Sequence, residues 1–488
     1  MSIALLVTML LCFAFSISVA VAIGFSAWVG MAGFTDLPWL AMPKEMFSAI
    51  DKFPLAAIPF FILAGNLMES GGISRRLVDF AKSIVGGVQG GLPMTCVLTC
   101  MIFAAVSGSS VATTFAIGAI LIPALSRHGY PRPWAAALQS TSAELGVVIP
   151  PSIPMILYGV AAEVSIGELF IAGFGPGLLI GGALMLFVFV YCKLQGWGRN
   201  DGDGRLPLRT AVIDLAALAG ALVAFVLGNR VVGPLFMRGG SADALDRMTD
   251  LVGLAFGLAY FVALVAIPRV RAALLKRATF ALMMPVIILG GIYGGVFTPT
   301  EASVVAVFYA LIVGMFVYRE VGPKDLWQAL KRSSISSAVI MFIIANAGLF
   351  AYLITRAGIP EQIGGFLTSV LQTPQAFLLG VNGALFVIGM FIETSASIIV
   401  LAPILVPVAT HFGIDPVHFG VVMVVNLALG MITPPFGVNL FAACTVAKIS
   451  LDQIVPRLLP FVAVILVCLM IVSYVPPLSL GLRDLVYR

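Results

Sequence analysis

"LGVVIPPSIP", residues 145–154, lies in the middle of an apolar run long enough to cross a bilayer, and "LGMITPPFGV", residues 429–438, lies in another. Proline has no amide hydrogen, so Pro150 and Pro151 cannot bond back to the carbonyls of Gly146 and Val147. Pro434 and Pro435 release Gly430 and Met431 in the same way. Both runs are predicted to be helices broken near mid-membrane, with four carbonyl oxygens left free. Free carbonyls at that depth are tolerated only where protein, water or an ion satisfies them. Small hard cations take oxygen ligands, and two half-helices meeting at a break offer opposite dipole ends. Sodium at the carbonyls is the economical explanation.

The two stretches are copies of one another. Pro123 matches Pro407, Gly129 matches Gly413, Leu145-Gly146 matches Leu429-Gly430, Pro150-Pro151 matches Pro434-Pro435 and Pro176 matches Pro460, every pair 284 positions apart. Upstream, Gly72-Ile73 matches Gly358-Ile359 more loosely, which places the copies at 53–204 and 333–477.

Composition fixes the surroundings. With 60% hydrophobic and only 10% charged residues over 488 positions, the chain is excluded from the ordinary soluble proteins. Windows such as 1–24, 168–192, 248–268 and 454–475 are long enough to span as helices. Met1 to Thr35 carries no charged side chain and no basic segment precedes it, so it is expected to be a first span rather than a cleaved signal peptide. The six cysteines lie in or beside apolar segments without metal or disulfide spacing and are taken as packing residues.

Sorting the loops by hydropathy puts nineteen of the 27 Lys and Arg residues on one side and eight on the other, a positive-inside bias. It predicts a cytoplasmic N-terminus, an external C-terminus and eleven crossings. The sorting holds only if "SGSSVATT" (107–114) is the tip of a helical hairpin, residues 92–125, that enters and leaves on the cytoplasmic side. Arms of about 15 residues reach only about 22 Å, short of a crossing. A second hairpin, 375–410, with its tip near Glu393–Ser397, must enter from outside. The copies are then inverted repeats, the plan by which secondary transporters place substrate and ion sites at mid-membrane.

The expected organisation follows: an N-terminal span and amphipathic, periplasmic segment (1–52); a first repeat (53–204) with hairpin 92–125 and broken helix 134–160; and an insertion (205–277) with two extra apolar segments. Connecting helices (278–332), a second repeat (333–477) with hairpin 375–410 and broken helix 417–445, and a periplasmic C-terminal tail (478–488) complete it. The fold class is an all-α polytopic membrane protein with two re-entrant hairpins and two broken helices.

Hairpin tip and helix break together form one oxygen-lined cage per copy. The first sodium site is assigned to Ser107, Ser109, Ser110, Gly146, Ile149 and Pro151, the second to Gly389, Thr394, Ser395, Gly430 and Thr433. Small and hydroxyl residues also serve plain helix contacts, and a proline kink is often structural. The recurrence of both motifs at one offset favours the cage.

These motifs, with "FPLAAIPFFILAGNLMESGG" (53–72), "SGSSVATTFAIGAILIPAL" (107–125), "GGIYGGVFTPTEAS" (290–303) and "DPVHFGVVMVVNLALGMITPPFGVNLFAA" (415–443), resemble the large membrane subunit of the tripartite ATP-independent periplasmic (TRAP) transporters over nearly the whole chain. The resemblance implies sodium-driven uptake of a small organic acid, such as a C4-dicarboxylate or a sialic acid, across the bacterial inner membrane. It also implies delivery by a periplasmic binding protein, a small four-helix membrane subunit, expected here as a separate chain, and an elevator mechanism like that of the ion transporter superfamily. Two or more Na+ ions, no organic cofactor and no nucleic acid are expected. Tentative substrate contacts are Ser110, Thr113, Ser152, Glu393, Thr394 and Asn439.

Other polar residues in apolar surroundings need partners. Glu144 and Glu301 are candidate ion or proton groups because intramembrane carboxylates are costly, with a capping box favoured for Glu301 and Glu393 the stronger functional candidate of the three. Arg356 is expected to face water; Asn66, Asn426 and Asn439 are expected to bond between helices; His128, His411 and His418 fall at loops without metal spacing. "GSSVA" (108–112) loosely fits a serine-nucleophile pattern, but no general base accompanies it, and no ATP-binding motif is present. An ion channel and a stand-alone sodium-coupled carboxylate carrier remain the alternatives.

Overall fold

The computed structural model describes residues 2–15, 17–199 and 278–487, with isolated positions between 212 and 223. The expected insertion, 205–277, therefore lies outside the described residues apart from those positions. Among the described residues the regular structure is helical throughout.

The N-terminal elements are α1 (Ser2–Ala14), α2 (Val19–Phe34), α3 (Ala41–Ile50), α4 (Ala57–Ser70) and α5 (Ile73–Val85). The first apolar run is not one span. α1 ends at Ala14, α2 begins at Val19, and α1 folds back on α2: a side chain added at Gly30 would meet Leu5 Cδ2 at 2.5 Å, whereas one continuous helix would hold those residues about 37 Å apart. The positive-inside count cannot register this fold-back, because residues 1–35 carry no charge to sort.

In the first repeat, α6 (Gly91–Ser107) and α7 (Ser110–Arg127) form the hairpin. Gly108, at φ 62°, makes the turn between them in the left-handed region that a side chain disfavours. The broken helix comprises α8 (Arg132–Ala143), the short α9 (Leu145–Val148) and α10 (Ile153–Ala161), with a bend of 42° at the break. The long α11 (Ile166–Gln195) follows. Connecting helices α12 (Thr279–Tyr293) and α13 (Pro299–Ile312) lead to α14 (Pro323–Arg356), whose 34 residues reach about 51 Å. The second repeat continues with α15 (Ile359–Val370), hairpin α16 (Pro374–Gly389) and α17 (Thr394–His411), and broken helix α18 (Pro416–Met431) and α19 (Val438–Ala447). Finally come α20 (Leu451–Tyr474) and α21 (Pro477–Tyr487).

The halves interlock reciprocally. α10 of the first repeat packs on hairpin arm α17 of the second, and α19 of the second packs on hairpin arm α7 of the first. Likewise α11 lies against α18 and α20 against α8. Each contact has its mirror in the other copy, as a two-fold relation between repeats requires. One joint is specific: the Tyr158 hydroxyl donates to the Pro416 carbonyl at 2.7 Å, and Gly420 leaves the room its ring occupies. On the flank, α14 packs against α2, α3, α4 and α17.

The segment expected as a tail, 478–488, is largely the helix α21, packed on α11 with Arg483 buried. Arg483 pairs with Asp415 at 2.7 Å and with Asp484 at 2.8 Å. His418, expected at a loop, is in the first turn of α18 and buried, between Ser479 Oγ at 2.7 Å and the Ser473 carbonyl at 3.2 Å. Apolar patterning around 415–418 and 478–488 does not reveal that the two segments meet.

Candidate functional site

At the first hairpin tip the hydroxyls turn inward because the turn leaves backbone groups to satisfy. Ser109 caps α7, its Oγ accepting from Ala112 N at 3.4 Å. Thr113 Oγ1 donates to the Ser109 carbonyl at 2.8 Å and lies 3.1 Å from Ser107 Oγ. The break packs against this turn. Ile153 N donates to the Gly108 carbonyl at 3.3 Å, and a side chain added at Gly108 would stand 2.8 Å from the Pro151 carbonyl oxygen. At Gly146 an added side chain would stand 2.9 Å from both Ser109 O and Thr113 Oγ1. Ser107, Ser109, Thr113, Gly146 and Pro151 thus converge, with Ser110 buried at the start of α7. Ile149 turns its side chain towards Gly177 of α11, leaving only its backbone for the cage.

The expectation of four free carbonyls holds for two at most. Ser152 Oγ donates to the Val147 carbonyl at 2.5 Å while capping α10, and Thr433 N donates to the Gly430 carbonyl at 2.9 Å. Gly146 and Met431 are the two without a described donor. A hydroxyl just past the first proline pair and an amide just before the second each replace one lost helical bond, which counting prolines alone overlooks.

At the second tip the glycines do the packing: Gly389 and Gly430 touch backbone to backbone, and a side chain on Gly430 would collide with Gly389. Thr394 Oγ1 is 2.9 Å from Met431 Sδ, and Thr433 Oγ1 donates to the Leu429 carbonyl at 2.8 Å. Glu393 caps α17: Oε2 accepts from Ser395 N and Ala396 N at 2.9 and 3.2 Å, and Oε1 from Ser395 Oγ at 2.8 Å. Both of its oxygens are therefore engaged at the N-terminal end of a helix.

The two cages differ in exposure. Residues 145–153 are buried throughout, whereas Pro435 and Phe436 are exposed, Phe436 to 57% and its neighbour Phe391 to 55%, their rings 5.8 Å apart. The repeat-related positions in the first copy are Ser152 and Ser107, both buried.

Asn439 reaches across to the first repeat. Its amide donates to Glu144 Oε1, and Thr114 Oγ1 stands 3.4 Å from Asn439 Oδ1. Thr114 is one of the polar residues of SGSSVATT that need a partner, but nothing local signals a contact spanning 325 positions. Asn66 bonds Ser333 at 2.7 Å and Asn426 bonds Asn382 at 2.8 Å, both between helices. Glu301 completes a capping box with Thr298, and Arg356 is exposed.

A family model described as the tripartite ATP-independent periplasmic transporter, DctM component, matches residues 1–478. The chain is 37% identical over 464 residues to the isethionate TRAP transporter permease protein DctMQ of Oleidesulfovibrio alaskensis, covering 95% of this chain and 63% of that one. It thus spans less than two thirds of that relative. It is 39% identical over 440 residues to the C4-dicarboxylate TRAP transporter large permease protein DctM of Pseudomonas aeruginosa, covering 90% and 88%. To the sialic acid TRAP transporter large permease protein SiaM of Vibrio cholerae it is 32% identical over 442 residues, covering 91% and 89%. Among solved structures, the YdaH transporter of Alcanivorax borkumensis superposes with a TM-score of 0.56 at 15% identity, covering 98% of both chains. At that identity the likeness is one of fold.

Proposed function

The chain belongs to the DctM-component family of the tripartite ATP-independent periplasmic transporters, a family of bacterial multi-pass membrane permeases, and from that premise we propose that it imports a small organic acid coupled to Na+. The observation that carries the proposal is the convergence of Ser107, Ser109 and Thr113 with Gly146 and Pro151, an oxygen-rich cluster built jointly by a hairpin tip and a proline break. Hard oxygen donors from hydroxyls and carbonyls suit an alkali cation. The pseudo-equivalent cluster at Gly389, Thr394, Gly430 and Thr433 supports a second ion.

Substrate would bind between the tips, where Ser110, Thr394 and the exposed end of the second break offer hydrogen-bonding groups. Ions that complete both tips would lock the hairpins around it, so that only the loaded or the empty carrier moves. In this proposal the hairpins and broken helices move together as an elevator against α14 and its neighbours. A periplasmic binding protein delivers the anion, and a small membrane subunit on a separate chain braces the scaffold.

The test is uptake into proteoliposomes holding this chain and the small subunit. Accumulation that needs an inward Na+ gradient and added binding protein supports the proposal. Uptake without binding protein would indicate a stand-alone carrier, and uptake indifferent to Na+ would overturn the coupling.

A further inference from the structure

Beside the groups assigned to the tips, three further polar side chains from three elements meet in the interior: Glu144 at the joint of α8 and α9, Thr114 on α7 and Asn439 on α19. All are buried, Glu144 to 4% exposure and the other two completely. Asn439 satisfies Glu144 Oε1, while Glu144 Oε2 has no hydrogen-bond donor. Among the described residues no Lys, Arg or His forms an ion pair or hydrogen bond with Glu144.

An ionised carboxylate taken out of water with one neutral amide as its partner is far from compensated. The internal repeat sharpens the point. Displaced by 284 positions, Thr114, Glu144 and Asn439 correspond to Ile398, Ala428 and Met155. The tips are duplicated in outline, but this cluster exists once and ties together both copies.

We propose that Glu144, Asn439 and Thr114 form a further monovalent-cation site, holding Na+ in addition to the ions at the two tips. The inference rests on the sodium coupling proposed above. One carboxylate supplies one charge, matched by an alkali ion, and the amide and hydroxyl oxygens supply neutral ligands. Turning the Asn439 amide over would present Oδ1 to that ion in place of Nδ2, an exchange that leaves the side chain's shape unchanged. Because its ligands come from α7, the α8–α9 joint and α19, the ion would fasten the first hairpin to both broken helices.

The experiment is equilibrium binding of radioactive Na+ to the purified membrane complex, paired with the Na+-induced shift in melting temperature. Glu144→Gln keeps the shape and removes the charge. The expected result is one fewer Na+ bound per complex, a smaller Na+-induced shift, and a melting temperature in Na+-free buffer equal to or above that of the wild type. Thr114→Val, which keeps the charge, should weaken one class of ion about tenfold and serves if the first variant does not fold. Wild-type protein that binds no Na+ would overturn the sodium coupling itself. Wild-type protein that binds Na+, with an unchanged count in Glu144→Gln and unchanged affinities in Thr114→Val, would overturn this site alone. So would a Glu144→Gln variant whose only change is the loss of a proton taken up on binding.

Discussion

Ser109 and Glu393, 284 positions apart, perform the same task in the two repeats: each is the N-cap of the second arm of its hairpin. The arms they open, Ser110–Arg127 and Thr394–His411, are both 18 residues long and shifted by the same interval. Serine does the work with a hydroxyl, glutamate with a carboxylate that also complements the positive end of the helix. Glu393→Ser should therefore retain a folded tip, as its counterpart does. Glu393→Ala should destabilise the protein by about 0.5–2 kcal/mol. Thermal unfolding of the purified complex distinguishes them; equal melting temperatures for the two variants would show that the cap is not what holds the tip.

The close approach of tip to break gives a second prediction. A methyl group at Gly146 would press on Ser109 O and Thr113 Oγ1, atoms assigned to the first ion, and at Gly430 it would strike the backbone of Gly389. Backbone cannot swing aside as a long side chain does, so overpacking of about 1–3 kcal/mol is expected at each position. Gly146→Ala should raise the Na+ concentration needed for half-maximal uptake by about tenfold or more, and Gly430→Ala should impair both Na+ dependence and folding yield. Uptake with unaltered Na+ dependence in Gly146→Ala would place the first ion elsewhere.

Hairpins and breaks were legible in the sequence because glycine and proline act locally. Pro150-Pro151 and Pro434-Pro435 stop helices by what they lack, and a fixed offset repeats the stops. The doubling-back of α1 on α2 was not legible: no charge, glycine or proline marks residues 15–18. Nor was the fate of the carbonyls, since Ser152 and Thr433 rescue them through geometry that a residue count does not contain. The Glu144–Asn439 contact joins positions 295 apart and exists only because the repeats interlock. Glu393 looked like the stronger functional carboxylate from its place at a tip, yet the structure engages both its oxygens and leaves one oxygen of Glu144 without a donor.

The attachment of α21 should respond to acid. Asp415 caps α18, accepting from Val417 N at 2.8 Å and His418 N at 3.3 Å, and pairs with Arg483. Partial burial pushes its carboxyl group up, but the Arg483 hydrogen bond and the two backbone donors outweigh it, leaving it below the usual carboxylate range. A folded-state value depressed in this way adds stability at pH above the unfolded value of about 3.9, and that stability is lost as pH falls through the folded value. Protection of the 477–487 amides against hydrogen exchange, taken relative to the intrinsic rate at each pH, should stay high at neutral pH and fall only below about pH 4. Asp415→Asn should lower it at pH 7, at a cost of about 1–3 kcal/mol, and flatten the acid response. An unchanged acid response in that variant would assign the titration to another group.

The unequal exposure of the two breaks can be read directly by chemistry. Ser152 is fully buried, whereas its repeat-related counterpart Phe436 is 57% exposed beside Phe391. The six native cysteines are all buried, so a single introduced thiol should dominate labelling. A small polar thiol reagent should modify Phe436→Cys quickly and Ser152→Cys slowly, by a ratio of about a hundred or more. If the second tip closes around its ion and substrate, saturating Na+ with substrate should slow the reaction at position 436, and removing the aromatic contact with Phe391→Ala should weaken that protection. Equal reactivity at the two positions would mean that both breaks open alike, and protection insensitive to Na+ would separate the exposure of Phe436 from ion binding. The comparison uses one property, access of a thiol to water, at two places that the internal duplication makes equivalent, so a difference between them measures the asymmetry of this conformation rather than the chemistry of the residue introduced.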